Sequence, residues 1–370
     1  MKAVNPFPVF GYSGPEFFCD RQEESRKLCE ALTNGRNVTL VAPRRLGKTG
    51  LIHHVLRKLE VEGCARGVYI DIFAVKTLQE FVQVFARGVF STLETRLERA
   101  TKAAGRFLGA CRPNLSIDSV TGAPSLSFSV DRLQVERTLQ DVFEYLKSRD
   151  ELIVIALDEF QQVAEFPEKG AEALLRSYIQ FLPNVRFVFA GSKAHMMSEM
   201  FMTANRPFYK STQNLSLAPI DEKVYSAFAA VFFKKARRAF SAEAFAFAYR
   251  LVDGVTWEMQ SVLNRLWSKG LDGDVDSIRA VVSEILEENA EEYAGLVSTF
   301  TVNEAKVMRE VARRRRVMSP MAADFIAATG VAASSIKLAV ENLIRAQQLY
   351  RDETGLLVYD RFFGYWLAQG

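Results

Sequence analysis

Histidine and cysteine are both scarce in this sequence, and their scarcity limits the chemistry that the chain can carry out. Of 370 residues, only three are histidine and four are cysteine. The cysteines are Cys19, Cys29, Cys64 and Cys111. They form no Cys-x-x-Cys pair and have no histidine at ligand spacing, so neither a zinc site nor a disulfide framework is expected.

Large net charge and long apolar runs are also missing. The formal net charge is +3, and the sequence is 49% apolar and 25% charged, as in ordinary globular proteins. The small net charge gives no global electrostatic argument for a nucleic acid or a membrane surface. No run of about 18 apolar residues could cross a membrane, and the N-terminal segment has Pro and Gly where a signal peptide is continuously apolar. We therefore expect a cytoplasmic protein without membrane contact.

Strand and helix patterns alternate over the first 220 residues. Short apolar runs predict strands at 37–41, 67–73, 152–157 and 185–190. Helical periodicity lies between them, and Asp20 with Glu23 resembles a capping box for a helix over 21–32. This alternation predicts an α/β fold with a mostly parallel sheet and helices on both faces. Residues 78–147 are interpreted as an insertion that contains helices and a hairpin.

The strand signals stop after Asp221. Helical patterns follow at 221–238, 242–252, 256–267 and 275–292. The last 70 residues then give helices at 303–313, 319–329 and 334–347 and short strands at 349–351 and 356–359, which is the order of a winged helix. The sequence thus predicts a P-loop α/β domain over 1–220, a helical lid subdomain over 221–299 and a winged helix over 300–370.

One segment resembles the phosphate-binding P-loop, whose pattern is G-x-x-x-x-G-K-[ST]. Gly47, Lys48 and Thr49 match it, whereas Ala42 replaces the first glycine. Backbone N–H groups at a helix N terminus would bind phosphate oxygens, Lys48 would neutralise the β- and γ-phosphates, and Thr49 would hold Mg²⁺. The predicted ATP-binding residues are Ala42, Pro43, Arg44, Arg45, Leu46, Gly47, Lys48, Thr49 and Gly50. The alternative is a basic turn that only caps a helix.

Two acidic residues end an apolar strand and favour the P-loop interpretation. The run at 153–157 is followed by Asp158 and Glu159. Acids at the carboxyl end of a buried strand face the ligand site in sheets of this type. Asp158 is predicted to be the Mg²⁺ partner and Glu159 the base that polarises the attacking water. Ser192, which follows the next strand, is predicted to contact the γ-phosphate or that water; an ordinary strand-end turn is its alternative.

Together these motifs resemble the archaeal-type ATPases of the STAND branch of P-loop NTPases, which are related to AAA+ proteins and Orc/Cdc6 initiators. The segments that carry the resemblance are NPFPVFGYSGPEFFCDRQEE, NVTLVAPRRLGKT, IALDEFQ, FVFAGS and RPFYKS. The resemblance implies that Phe7, Phe18 and Arg21 flank the adenine. It also implies that a cation, Arg206 or Lys210, contacts the γ-phosphate, from the same subunit or from a neighbouring one in a homo-oligomer.

The sequence leaves three functions open. The first is Mg²⁺-ATP binding with slow hydrolysis, used as a conformational switch between the α/β domain and the lid. The second is an ATP-regulated DNA-binding or DNA-loading protein of the Orc/Cdc6 type, in which Arg313–Arg316 contact phosphates. The third is a signalling or defence module whose winged helix binds a protein partner. For the four arginines, a solvated helix end is the alternative interpretation.

Overall fold

The computed structural model describes residues 5–94, 112–117, 124–129, 134–352 and 354–369. Within it the chain divides into two compact units. One spans Phe10–Ala218, and the other spans Pro219–Gly370 together with the N-terminal residues up to Val9. Predictions for the remaining parts of the insertion lie outside the described residues.

The first unit is built on a parallel sheet. The described strands of the whole chain are β1 (Val38–Val41), β2 (Arg66–Asp71), β3 (Arg112–Ile117), β4 (Pro124–Ser129), β5 (Ile153–Asp158), β6 (Val185–Gly191), β7 (Gln213–Ser216), β8 (Leu349–Asp352) and β9 (Gly355–Val358). Five of them form one sheet in the order β2-β5-β6-β1-β7, and all neighbouring pairs are parallel. The register aligns Val41 with Gly191 and Asp71 with Asp158, which places the carboxyl ends of these strands along one edge. The predicted α/β fold is confirmed.

Helices cover this sheet and form most of the second unit. In chain order they are α1 (Gln22–Thr33), α2 (Lys48–Val61), α3 (Leu78–Leu93), α4 (Val135–Lys147), α5 (Ala171–Ile179), α6 (Ala194–Met202), α7 (Glu222–Lys235), α8 (Ala242–Leu251), α9 (Thr256–Ser268), α10 (Val275–Glu288), α11 (Ala290–Ser298), α12 (Val302–Arg314), α13 (Ala323–Thr329), α14 (Ala333–Arg345) and α15 (Arg361–Gln369). Short 3₁₀ helices lie at Pro15–Phe17 and Phe160–Glu165. The amphipathic α2 illustrates the packing, since it buries Leu51, Ile52 and Val55 on one face.

The predicted capping box at the start of α1 is wrong. The N-cap position belongs to Arg21, whose backbone is left-handed with a φ of 66° and whose side chain caps no backbone N–H. Glu23 forms an ion pair with Arg26 at 2.8 Å instead. Arg21 is buried by contacts elsewhere in the unit, so tertiary structure overrides the local capping signal.

The second unit contains the winged helix in the predicted order, α12, α13 and α14 followed by the antiparallel pair β8 and β9. The Arg315 guanidinium donates to the Leu251 carbonyl at 2.7 Å, at the end of α8. Asp253 lies in the loop after that helix, and its Oδ2 lies 2.9 Å from Nε of the buried Arg361. These contacts connect the loop between α8 and α9 to the winged helix. Across the described residues, no single helix has the length and apolar composition of a membrane span.

Candidate nucleotide site

The loop between β1 and α2 has the course of a P-loop. Ala42 is fully buried, and its N–H donates to the Gly191 carbonyl at 3.2 Å, which ties the start of the loop to β6. Ala42 is not among the residues with a left-handed backbone, so a side chain is tolerated where the motif has its first glycine. Arg45 (φ 69°) and Gly47 (φ 89°) do take that conformation, and α2 begins at Lys48.

The Lys48 ammonium group lies between the two carboxylates that end β5. Its Nζ lies 2.7 Å from Oδ1 of Asp158 and 3.0 Å from Oε1 of Glu159. The side chains of Lys48 and Asp158 are only 8% and 5% exposed, so water screens this charge cluster weakly. The structure therefore brings together the predicted phosphate-binding lysine, the predicted metal ligand and the predicted base.

Asp158 is held by four neighbours. Its Oδ1 contacts Lys48 and accepts the backbone N–H of Glu159 at 2.9 Å. Its Oδ2 accepts the Thr49 hydroxyl at 3.0 Å and the Tyr69 hydroxyl at 2.9 Å. Burial, together with the neighbouring Asp158 charge, raises the pKa of Tyr69, so its phenol stays protonated and donates. This carboxylate is fixed in one orientation, with the Thr49 hydroxyl beside it.

Glu159 follows the strand in a left-handed conformation with a φ of 59°. Its Oε2 accepts the Ser192 hydroxyl at 2.7 Å and the Gln161 amide N–H at 2.5 Å. Burial acts to raise the pKa of Glu159, but the Lys48 charge and the bonds from Ser192, Gln161 and Lys48 outweigh it and hold the pKa below its ordinary value. The carboxylate is therefore ionised at neutral pH, as a base must be. Ser192 is in the site, and its partner there is Glu159.

Arg21 supports the P-loop from the start of α1. Its side chain is 4% exposed; Nη2 donates to the Leu46 carbonyl at 3.2 Å, and Nη1 pairs with Glu24 at 2.9 Å. The resemblance implied that Arg21 flanks the adenine, whereas its observed contact is with the loop backbone.

Phe18 packs on the first turns of α2. Its ring is stacked on His54, with centroids 4.2 Å apart and planes at 12°, and a Cβ added at Gly50 would lie 3.7 Å from the ring. The Tyr12 hydroxyl and His54 Nδ1 are hydrogen-bonded at 2.9 Å. Burial and the nearby Lys58 charge lower the pKa of His54 and favour its neutral form. An aromatic surface thus lies beside the P-loop helix.

Two further predicted residues, Phe7 and Arg206, have partners of their own. Phe7 belongs to the second unit, where its ring is fully buried and contacts Phe232, Phe233 and Trp267. The Arg206 guanidinium pairs with Glu172 at 2.6 Å and lies 3.6 Å from Glu199. The roles predicted for Phe7 and Arg206 stay predictions.

Sequence reasoning missed two members of the site, Tyr69 and Gln161. Tyr69 lies on β2 in register with Ala156, and Asp71, two residues later, is in register with Asp158. Because side chains alternate along a strand, Tyr69 lies on the same face of the sheet as Asp71 and Asp158. That placement needs the sheet order, which the sequence does not state. Gln161 gives a weak signal, because it is one of two adjacent glutamines, Gln161 and Gln162, that follow Phe160 and the acid pair.

Two family models match the chain. The first, described as an ATPase domain predominantly from Archaea, matches residues 18–262. The second, described as a probable winged helix domain, matches residues 291–369. No curated protein sequence matches the chain.

Solved structures with the same fold cover nearly the whole chain. A Walker-type ATPase of Pyrococcus abyssi aligns with a TM-score of 0.67 and 18% identity, over 98% of this chain and 99% of that one. The ORC2 protein of Aeropyrum pernix, solved as ADPNP and ADP complexes, aligns at 0.60 and 15% over 100% and 97% of the two chains. The ORC1 protein of the same organism, solved in complex with DNA, aligns at 0.53 and 14% over 99% and 96%. At identities this low, the similarity shows only that this chain shares the fold of these proteins.

Proposed function

Because the chain belongs to a family of ATPases found predominantly in Archaea, we propose that it binds Mg²⁺-ATP at the Lys48 cluster, hydrolyses it slowly and uses the nucleotide state as a conformational switch. The observation that supports this most strongly is the convergence of Lys48, Thr49, Asp158 and Glu159 within hydrogen-bonding distance at the N terminus of α2. A cytoplasmic location is part of the same proposal.

The phosphates are bound by the loop from Ala42 to Thr49. Backbone N–H groups and the positive end of the α2 dipole attract the phosphate oxygens. Lys48 is paired with Asp158 and Glu159, and it would exchange these carboxylates for the β- and γ-phosphates when ATP binds.

Thr49 and Asp158 fit a magnesium site. A hydroxyl and a carboxylate oxygen lie 3.0 Å apart, and oxygen atoms are the ligands that Mg²⁺ prefers. Bound there, the ion would neutralise negative charge on the phosphates. The Tyr69 hydroxyl also donates a hydrogen bond to Oδ2 and keeps the Asp158 carboxylate in place.

Glu159 is the base for the attacking water. The water oxygen bonds to the γ-phosphorus and the bond to the β–γ bridging oxygen breaks. ADP leaves with that electron pair, and Glu159 accepts the water proton. Its pKa below the ordinary value keeps it ionised for this step.

The test compares two variants with the wild-type protein. Lys48→Met removes the cation for the phosphates, so ATP binding is expected to fall below detection in a titration with a fluorescent analogue. Glu159→Gln keeps ATP binding and is expected to lower kcat at least about a hundredfold. Normal turnover by Glu159→Gln would refute the assignment of the base.

A second candidate function is ATP-regulated DNA binding through the winged helix. The fold shared with an ORC1 protein solved on DNA, and the basic run at the end of α12, favour it. Arg314 is engaged with Glu310 and Asp324, and Arg315 donates to backbone carbonyls, which leaves Arg313 and Arg316 exposed. A winged helix that binds a protein partner is the remaining alternative.

The DNA hypothesis is tested by salt-dependent binding to duplex DNA. Changing Arg313 and Arg316 to Ala is expected to weaken binding and to reduce the slope of log affinity against log salt by about two. Turnover raised by DNA in the wild-type protein would support a loading role. Duplex DNA without effect on turnover, and without measurable affinity at low salt, would favour a protein partner.

A further inference from the structure

Gln161 is hydrogen-bonded to the Glu159 carboxylate. It is the second residue of the 3₁₀ helix that follows Glu159, and it is completely buried. Its Nε2 donates to Oε2 of Glu159 at 2.5 Å, and Ser192 donates to the same oxygen at 2.7 Å. The other oxygen, Oε1, contacts Lys48 at 3.0 Å.

Gly191 makes room for this amide. A Cβ added at Gly191 would lie 2.5 Å from Oε1 of Gln161 and 2.5 Å from Sδ of Met197, so no larger residue fits at the end of β6 while Gln161 keeps its position. The packing around the strand end is thus arranged around the Gln161 side chain.

The buried amide of Gln161 lowers the stability of the fold. Its own Oε1 is buried and has no hydrogen-bond partner within the described part of the chain. A half-satisfied buried amide destabilises a protein relative to an apolar side chain of the same shape. The only hydrogen bond that the structure describes for this amide is the one from Nε2 to Glu159.

We propose that Gln161 is a positioning residue for hydrolysis: together with Ser192 it holds Oε2 of Glu159, so that Oε1 is the oxygen that faces the attacking water. The proposal rests on the proposed function. Lys48 contacts Oε1, and a bound phosphate would draw Lys48 away and uncover that oxygen. Gln161 and Ser192 keep the carboxylate from following Lys48, which couples nucleotide binding to exposure of the base.

The decisive variant is Gln161→Met, which keeps the length and volume of the side chain and removes the donor. We expect kcat to fall about tenfold to a hundredfold, as for other small losses of alignment. The Kd for ATP should stay within about twofold, because Gln161 contacts no P-loop residue. The thermal midpoint should be unchanged or higher, because the unpaired amide oxygen is gone.

The matched control variant is Gln162→Met. Gln162 is in the same 3₁₀ helix, donates to the Phe73 carbonyl and should leave kcat unchanged. Gln161→Asn, whose amide is one methylene too short to reach Oε2, should reproduce the kinetic defect.

The outcomes distinguish this proposal from the proposed function. Wild-type kcat in Gln161→Met would overturn the role of Gln161 even where Glu159→Gln is inactive. Parallel losses of kcat, ATP affinity and thermal midpoint would also overturn it, since they would indicate a packing role. Normal turnover by Glu159→Gln would instead refute the base itself.

Discussion

Asp158 is a carboxylate whose lone pairs are already used by neighbouring groups of the protein. Lys48, Thr49, Tyr69 and the Glu159 backbone all contact it, and three of these four contacts come from donors that stay neutral. As the proposed metal ligand, a carboxylate held in this way would lose little orientational freedom when an ion binds. On this proposal the phenol of Tyr69 supports the ligand.

Tyr69→Phe tests this support. We expect the Mg²⁺ concentration for half-maximal turnover to rise about tenfold, because lost supporting hydrogen bonds weaken metal sites by that order. This concentration is measured from the turnover rate as a function of Mg²⁺ concentration at saturating ATP. Tyr209→Phe, at a side chain 37% exposed, serves as the control, and equal Mg²⁺ dependence in both variants would contradict the role.

Lys48 also stabilises the fold, with a defined pH dependence. Lys48→Met leaves Asp158 and Glu159 adjacent, buried and without a counter-ion, at a cost of about 3 kcal/mol in the free energy of unfolding at pH 7. Lys48 lowers the pKa of Glu159 in the folded state, so the stability it adds is fully present above the ordinary carboxyl pKa and is lost as the pH falls through the lowered pKa of the folded state.

Denaturant unfolding without nucleotide at pH 7 and at about pH 4 measures this difference. The deficit of Lys48→Met should shrink at the lower pH. Lys58→Met is the control on the same helix, since its ammonium lies 4.0 Å from Glu62 and is 45% exposed. A deficit that is independent of pH would show that lost packing, rather than charge, is responsible.

At the scale of elements, the start of α1 fixes the P-loop. The Arg21 guanidinium connects the Leu46 carbonyl to Glu24, so it ties the middle of the loop to the first turn of the helix. Arg21→Ala is expected to raise the Kd for ATP about tenfold, the size of one charged hydrogen bond. A fluorescent-nucleotide titration measures it. Arg26→Ala, 61% exposed on the same helix, should leave the Kd unchanged, and equal effects of both changes would contradict the assignment.

The elements with strong apolar patterns were predictable from the sequence, and those set by tertiary contacts were not. β5 and β6 are continuous apolar runs, and both strands form where the sequence predicts them. β7 has the sequence QNLS and alternates between half-buried and exposed residues, so its sequence has no apolar run that predicts a strand. Its pairing with β1 makes it a strand. The predicted helix over 275–292 is divided at Asn289, and α6 and α15 were not predicted.

The same distinction applies within the site. Lys48, Thr49, Asp158 and Glu159 are identified by motifs whose spacing is local. Tyr69 reaches the site through the pairing of β2 with β5, which only the folded sheet establishes. The neighbours that orient catalytic groups therefore escape a linear search more easily than the groups themselves.

At the scale of the molecule, the second unit carries both the lid helices and the winged helix. The Asp253 carboxylate forms an ion pair with Arg361, whose side chain is 7% exposed. The same carboxylate lies 3.5 Å from the Arg315 guanidinium. Asp253→Asn keeps the shape and removes the charge. We expect a loss of about 2 kcal/mol and a thermal midpoint lower by roughly 4–8 °C for that unit.

Scanning calorimetry of the full chain measures the shift. Asp276→Asn, with a side chain 95% exposed, provides the matched control and should unfold like the wild-type protein. If both variants unfold at the wild-type temperature, the Asp253 contacts do not hold the winged helix to the loop between α8 and α9.

The position of β1 in the sheet has a consequence for how the protein is made. β1 pairs with β6 and β7, so Val38 has its neighbours at Val188 and Gln213, far later in the chain. A nascent chain on the ribosome thus carries β1 without either neighbour until β6 has emerged, and without β7 until residues 213–216 follow. Long-range parallel pairing of this kind is slow and leaves strand edges exposed to aggregation meanwhile. The loop between β1 and α2 is therefore synthesised well before the strands that fix it in place.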